Sequence, residues 1–220
     1  MGLSNNMEQE EEKTEGIEHK KFSPFYRFLA LFSAICLFLL SMEGYFYLFH
    51  PEPDVKLTLA DVQKFLPQSL HEPFTSHSSA EVKQVVLDSE PIIKQIANKI
   101  VSDSCRTSDS LCQSKALFYF VRDRITYVLD PKFHDKLENP LVTLKTGGAD
   151  CEDMAVLVAA LEKAIGNDAR LVFISGHAYA QVRIPDYKDK WLDMETTCKT
   201  CGFNQMPSDT LLENREVVDL

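Results

Sequence analysis

Positive charge is scarce in this chain. Its 220 residues include 23 Lys and Arg but 33 Asp and Glu, which gives a formal net charge of −10 at pH 7. Proteins that bind nucleic acid carry clustered Lys and Arg that neutralise phosphates. The acidic balance, with no basic stripe along the chain, therefore predicts that nucleic acid is not a partner.

Internal repeats are absent, which excludes an array of repeated units. Large apolar residues are also nearly absent from residues 1–24, and a segment this polar cannot bury a core. Six glutamates make most of it acidic: Glu8, Glu10, Glu11, Glu12, Glu15 and Glu18. We expect residues 1–24 to form a disordered acidic tail.

Residues 25–49 form a long apolar run. As a helix they would be about 37 Å long, enough to cross a hydrocarbon layer of about 30 Å. The alternative is a cleaved signal peptide, but residues 41–44, Ser-Met-Glu-Gly, lack an Ala-x-Ala-like cleavage site. We therefore expect a single transmembrane helix over residues 25–49.

Charges on the two sides of this run predict its orientation. Lys20, Lys21 and Arg27 lie at its N-terminal end, whereas the first positive residue after it is Lys56. Cytoplasmic flanks of membrane helices carry the excess of Lys and Arg. The acidic tail is therefore expected in the cytoplasm, and residues 50–220 are expected outside.

Four cysteines of the outer portion form an even set: Cys105, Cys112, Cys198 and Cys201. An oxidising exterior allows two disulfides, in one of three connectivities. A four-thiolate zinc site is the alternative, since Cys-x2-Cys is a good half-site, although Cys-x6-Cys is a loose partner for it. We favour the disulfides and expect no metal or other cofactor.

Hydrophobic periodicity predicts several helices in the outer portion. Helical spacing indicates one helix over Thr58–Leu66, one led by Pro91 and one led by Ser114. The clearest helix has Asp150 as its N-cap and ends at Gly166. Several of these helices precede the strands in the chain, which is the order of an α+β domain.

Alternating strands follow the clearest helix, over residues 169–174, 177–184 and 190–193. The predicted fold class is α+β, with a helical layer packed on an antiparallel sheet. The predicted divisions of the outer portion are a stalk or linker over residues 50–78, a domain over 79–206 and a C-terminal tail over 207–220.

A glycine-rich turn precedes the clearest helix. Residues 146–153 read Thr-Gly-Gly-Ala-Asp-Cys-Glu-Asp, which places Cys151 at the helix N-terminus, where the thiolate is favoured. The acidic neighbours oppose this, because carboxylates raise the pKa of a thiol. The thiolate therefore needs a nearby cation, and His177, at the start of an alternating strand, is the expected one.

A carboxylate is needed to orient the imidazole, and Asp193 at the end of the next strand is the predicted one. Glu195, two residues further and on the same strand face, is the alternative acid. Among the other histidines, only His134 is a serious substitute for the base. Cysteine, histidine and aspartate in this order suggest a nucleophile, its base and the orienting group.

Together these segments resemble the transglutaminase-like superfamily of papain-like fold, especially its small microbial members. The resemblance covers about residues 80–205 and includes Arg122–Tyr127, which is similar to a helix-and-tyrosine segment of these domains. It implies Cys151 as nucleophile, His177 as base and Asp193 as orienting acid. It also implies acyl transfer from glutamine, peptide hydrolysis or other amide chemistry. The calcium-site signature of the large animal enzymes is missing.

We therefore expect a membrane-anchored thiol enzyme that acts on a protein or peptide substrate, most simply a cysteine peptidase or amidase. A protein-crosslinking transglutaminase and an inactive binding module of the same fold are the alternatives. The thiolate would attack an amide carbonyl, and the imidazole would protonate the departing amine. The backbone N–H of Cys151 is expected to hold the oxyanion together with a second donor, which the sequence does not identify.

Overall fold

The computed structural model divides the chain into two compact units, residues 1–45 and residues 46–220. It describes residues 23–49, 52–68, 79–106, 108–129, 137–187, 190–208 and 215–220. The acidic tail predicted over residues 1–24 lies almost wholly outside these ranges.

The first helix, α1, spans Pro24–Phe49 and holds the predicted membrane segment. Its 26 residues correspond to about 39 Å of helix. The large apolar side chains between Phe25 and Met42 are exposed, and a helix that is apolar on every side requires an apolar surrounding. By length and composition, α1 is able to cross a membrane.

The described residues of the second unit form five further α-helices, and most of these begin at a capping side chain. Thr58 forms a capping box with Asp61 at the start of α2, and Asp109 accepts a hydrogen bond from the Cys112 N–H at the start of α4. Such caps satisfy N–H groups that have no partner inside the helix. The helices are α2 (Leu59–Gln63), α3 (Ser79–Ser104), α4 (Ser110–Arg124), α5 (Pro140–Thr146) and α6 (Cys151–Ala164).

Helix α3 begins well before the predicted start at Pro91, which lies inside it. Proline removes one backbone hydrogen bond and favours a helix end. Here Val82, Val85 and Val86 extend the buried apolar stripe on the N-terminal side of the proline. Burial of this stripe outweighs the lost hydrogen bond, so the prediction that Pro91 leads the helix is wrong.

The main sheet has four antiparallel strands in the order β5-β4-β3-β6. A separate pair of two-residue strands, β1 and β2, is parallel. Strand β2 comes directly before α6, the helix that begins with Cys151. The strands are β1 (Thr126–Tyr127), β2 (Gly148–Ala149), β3 (Asp168–Ile174), β4 (His177–Arg183), β5 (Leu192–Met194) and β6 (Glu216–Asp219). The predicted α+β class is confirmed.

Helix α6 lies at the centre of the core. Its residues from Met154 to Leu161 are apolar and buried without interruption, as in a helix that is surrounded by protein. It packs against β3, β4, α3, α4 and α5. Full burial of each large aliphatic side chain contributes about 1.5–3 kcal/mol. This packing holds α6 in place, and with it the first turn that carries Cys151.

The carboxyl group of Glu162 is fully buried in this core. Glu162 of α6 accepts hydrogen bonds on Oε2 from the Ser114 hydroxyl at 2.9 Å and from the Asn167 side-chain amide at 2.7 Å. Burial raises the pKa of Glu162 to about 7, although these two hydrogen bonds lower it. The group joins α4 to the end of α6.

The domain is larger on both sides than predicted. Leu57 and Val62, in the expected stalk, are buried in the core, and Arg124 donates to the carbonyl oxygens of Val55 and Leu57. In the expected C-terminal tail, β6 pairs with β3 along four residues. The sequence boundaries missed these parts because each is short and gains its apolar burial only on the assembled domain.

Candidate active site

The loop before α6 is built to present Cys151. Helix α5 ends at Gly147, whose φ of 74° is a left-handed conformation that glycine adopts without strain. The Asp150 side chain then accepts a hydrogen bond from the Asp153 N–H at 3.1 Å, as an N-cap. Cys151 is the first residue of α6, half-buried and not in a disulfide. The predicted N-cap and the position of the thiol are both confirmed.

His177 is the first residue of β4, and its imidazole interacts electrostatically with the Cys151 side chain. On its other side, the imidazole Nε2 lies 2.5 Å from Glu195 Oε2, which leaves Nδ1 as the ring nitrogen for the thiol. The hydrogen bonds with Cys151 and with Glu195 raise the pKa of His177 to about 10, against the effect of burial. The imidazole is therefore protonated at neutral pH.

Glu195, rather than Asp193, is the acid on the imidazole. The Glu195 side chain is only 1% exposed. Burial raises its pKa, but hydrogen bonds from His177 and Thr197 outweigh burial and leave the pKa below its ordinary value. Asp193 instead accepts a hydrogen bond from Gln181 Nε2 at 2.7 Å. The expectation that Asp193 orients His177 is thus corrected in favour of the alternative acid.

Strand register explains this exchange of roles. Asp193 pairs with Gln181 in the ladder between β4 and β5, and His177 lies four residues before Gln181. At about 3.4 Å per residue, Asp193 is about 14 Å along the strand from His177. Glu195 is two residues closer, and such a diagonal neighbour is within reach of a long side chain.

The loop that carries Glu195 is fastened at several points. Its Oε1 accepts hydrogen bonds from the Thr197 N–H at 3.0 Å and from the Thr197 hydroxyl at 2.5 Å. Next comes the Cys198–Cys201 disulfide, and Lys199 within it donates to backbone carbonyls at the end of α4. With Cys105–Cys112 also bonded, the predicted disulfides are confirmed and the zinc alternative is not.

Tyr127 was not singled out from the sequence. It pairs with Ala149 across β1 and β2, and the Val128 N–H donates to the Ala149 carbonyl at 2.8 Å. This pairing brings the tyrosine next to the start of α6, where burial raises the pKa of its phenol and the nearby Cys151, Asp150 and Glu195 charges raise it further. The sequence contained only the helix-and-tyrosine resemblance, which named the segment but not a contact.

The acidic neighbours of the thiol carry less charge than the sequence suggests. Asp153 is buried and accepts a hydrogen bond from the Glu138 N–H at 2.6 Å. Burial raises the pKa of Asp153 to about 8, so this carboxyl is mostly protonated at neutral pH. One of the expected negative charges beside Cys151 is therefore removed by desolvation.

Other candidate features lie away from this cluster. His134, the substitute base, lies outside the described residues. Within the described ranges, no group of three or more His, Cys, Asp and Glu side chains is arranged to hold a metal ion. A cavity of about 380 Å³ does not include the thiol; its lining residues are Glu52, Leu111, Lys115, Tyr187, Leu192, Phe203 and Asn204.

The site thus combines a thiol at a helix N-terminus with the imidazole at the start of β4, in an α+β domain. Residues 94–196 match the family model of the transglutaminase-like superfamily. The domain that contains these residues is thus transglutaminase-like, as the sequence motifs predict.

Three solved structures are similar in part. A candidate cysteine protease from Cytophaga hutchinsonii is 15% identical, with a TM-score of 0.42 over 58% of this chain and 46% of that chain. A candidate protease from Parabacteroides distasonis is 12% identical, with a TM-score of 0.42 over 58% and 31%. LapG of Legionella pneumophila is 15% identical, with a TM-score of 0.39 over 60% and 78%. This chain thus spans less than half of the first two. No curated protein matches it significantly.

Proposed function

We propose that the protein is a membrane-anchored thiol hydrolase that cleaves amide bonds of extracytoplasmic peptides or proteins. The single observation that carries this proposal is the imidazole of His177, whose pKa the Cys151 side chain raises and whose Nε2 lies 2.5 Å from the buried Glu195 carboxylate. A nucleophile, a base and an orienting acid in this arrangement are the parts needed for covalent acyl chemistry.

The reaction needs Cys151 as the thiolate, the nucleophilic form of a cysteine, and His177 as the imidazolium. The sulfur of Cys151 forms a bond with the amide carbonyl carbon, and the carbonyl oxygen becomes an oxyanion. The oxyanion accepts a hydrogen bond from the Cys151 N–H, one of the first-turn N–H groups that has no partner inside α6. The carbon–nitrogen bond then breaks as His177 gives its proton to the leaving amine, and a thioester remains.

The thioester is resolved by water. Neutral His177 takes a proton from the water while the water oxygen bonds to the carbonyl carbon. The carbon–sulfur bond then breaks, which releases the carboxylic acid and restores the thiolate and the imidazolium. Glu195 stays ionised throughout and keeps the imidazole in one orientation.

Location follows from α1 and the disulfides. Helix α1 is able to cross a membrane, and two disulfides are compatible with an oxidising compartment for the domain. Together with the positive N-terminal flank, these features support a cytoplasmic N-terminus and an outer catalytic domain. Cys151 would then work as a reduced thiol outside the cytoplasm.

The test uses the full chain in detergent micelles, with Cys36→Ala as the parent. Cys36 and Cys151 are the cysteines outside disulfides, so the parent has one free thiol. Hydrolysis of a fluorogenic peptide mixture, measured without reductant, is expected to fall at least about 10³-fold in Cys36→Ala/Cys151→Ala. Equal hydrolysis by the two proteins would contradict the proposal. Adding a fluorescent amine and a glutamine donor measures transfer in the same preparation.

A further inference from the structure

The segment that precedes the family-matched domain packs against the turn that presents the thiol. Residues 52–66 lie outside residues 94–196, the part that matches the family model. Within this segment, α2 places Leu59 and Gln63 one helical turn apart, on the same face. A Cβ added at Gly147 would lie 2.7 Å from Leu59 Cδ2. This face of α2 therefore lies directly against the glycine turn.

The side chain of Gln63 caps the end of α5. Its Nε2 donates to the Leu144 carbonyl at 3.2 Å and to the Lys145 carbonyl at 3.0 Å. The last four carbonyl groups of a helix have no partner inside it. One amide group thus satisfies two of these carbonyls, and it comes from a residue that lies 81 positions before Leu144 in the chain.

The connection from this helix end to the thiol is short. The Gly147 N–H donates to the Thr143 carbonyl at 2.9 Å, and the Gly147 carbonyl accepts from the Thr126 N–H at 2.9 Å. Cys151 and Glu152 are only half-buried, whereas the rest of α6 is almost wholly buried. The first turn of α6 is therefore positioned by the glycine turn as well as by the core.

The amide of Gln63 is not what keeps α2 on the domain. Val62 is fully buried, and Leu57 is 8% exposed. Arg124 also donates to the carbonyl oxygens of Val55 and Leu57. These contacts persist when the amide donor is lost, so the hydrogen bonds of Gln63 can be removed without undocking the segment.

We propose that Gln63 is a positioning residue of this site, which acts on Cys151 through the end of α5 and the glycine turn. The inference rests on the proposed function, because it concerns turnover at that thiol. It makes residues 52–66 part of the catalytic unit, although they lie outside the family-matched residues. A displacement of about 1 Å that originates far from the reacting atoms can cost about 10²-fold in rate.

Gln63→Met, made in the Cys36→Ala parent, tests this role. Methionine keeps the length of the side chain and removes the amide donor. We expect kcat for peptide hydrolysis to fall about 10-fold, with KM changed less than about threefold. The thermal midpoint is expected to fall by only about 2–4 °C, so turnover is measured well below it.

Gln63→Lys tests for rescue, because it returns a donor to the same place. Lys199 already bonds the carbonyls at the end of α4 in this way. A lysine near a helix C-terminus can bond the last carbonyls, so we expect kcat within about threefold of the parent.

Lys64→Met is the matched control. It makes the same substitution at the next position, where the lost ammonium bonds Asp61 within α2 at 2.7 Å. Its kcat is expected to match the parent. A purely structural role of Gln63 would be met by methionine, and any loss of activity would then follow the folded fraction measured by near-ultraviolet circular dichroism.

Each outcome decides one proposal. The positioning role is overturned if Gln63→Met keeps the kcat of Lys64→Met, or if Gln63→Lys does not recover the loss. If Gln63→Met does not fold, Gln63→Asn, which is one methylene shorter and retracts the amide from the carbonyls, takes its place with the same expected loss. If Cys151→Ala hydrolyses as the parent does, the proposed function itself is wrong, whereas its inactivity beside an unchanged Gln63→Met overturns the positioning role alone.

Discussion

Replacing Glu195 by Gln tests which acid controls His177. Glutamine keeps the size of the side chain and an oxygen that can accept from the imidazole, but it removes a negative charge 2.5 Å from Nε2. Solvent screens this charge little, because the glutamate side chain is 1% exposed. Asp193→Asn removes the same charge two residues away and is the matched control.

We expect Glu195→Gln to lower the pKa of His177 substantially. The pKa of His177 is about 10, against an ordinary value of 6.5. An opposite charge at this distance accounts for about 1–3 pKa units, or about 1.4–4 kcal/mol. We therefore expect a pKa between about 7 and 9 in Glu195→Gln, and a pKa that stays near 10 in Asp193→Asn. The remaining elevation is the contribution of Cys151.

The same change has a defined sign in stability. A histidine whose pKa is higher in the folded state stabilises the fold fully below pH 6.5, and this contribution is lost as the pH rises through about 10. In Glu195→Gln the pKa of the folded-state histidine is lower, so this stabilising contribution is fully lost at a lower pH. Above neutral pH, the variant is thus expected to show a smaller decline in the free energy of unfolding than the parent.

Histidine carbon-13 resonances, followed through a pH titration of the Cys36→Ala protein, measure the pKa of His177 directly. Peptide hydrolysis is expected to fall by about 10²–10⁴-fold in Glu195→Gln, as for loss of an orienting carboxylate. The reasoning from strand register is refuted if Asp193→Asn lowers the pKa as far as Glu195→Gln does.

Two further changes test the packing around the site. Gly147→Ala is expected to cost about 1.5–2 kcal/mol in urea unfolding, because residue 147 has a positive φ and its added Cβ would lie 2.7 Å from Leu59 Cδ2, so the end of the leucine side chain must move. Gly166→Ala has the φ cost alone, about 1 kcal/mol, and equal losses would contradict the steric argument. In the parent, the folded state keeps the Glu162 proton up to about pH 7, so the free energy of unfolding falls by about 3 kcal/mol as the pH rises from about 4.5 to 7. We expect this fall to be absent in Glu162→Gln. An unchanged pH profile would count against burial as the cause.

Local patterns predicted the centre of the site well. Asp150 as N-cap, Cys151 at the helix start and His177 at the start of a strand are each read from neighbouring residues. Capping and strand alternation depend on a few consecutive side chains, so they are visible in the sequence. The Cys105–Cys112 disulfide was open to the same reasoning, because it closes a short loop.

The relative positions of segments that are distant in the chain were not predicted in the same way. The choice between Asp193 and Glu195 depends on the register of β5 against β4, and residues of the connecting turn do not fix that register. The position of Tyr127 beside the start of α6 depends on a two-residue strand pair that is too short to leave a periodic pattern. Each requires the position of one chain segment relative to another.

The sequence by itself determined the class of the protein: an apolar helix, an α+β domain, a thiol at a helix N-terminus and a histidine on the next hairpin. These features follow from propensity, capping and periodicity, which act over neighbouring residues. Only the tertiary structure decided that Glu195 holds the imidazole, that Tyr127 pairs with Ala149 beside the start of α6 and that burial raises the pKa of Asp153. Hydrogen bonds and desolvation depend on distances of a few ångströms, and packing sets those distances after the elements have formed.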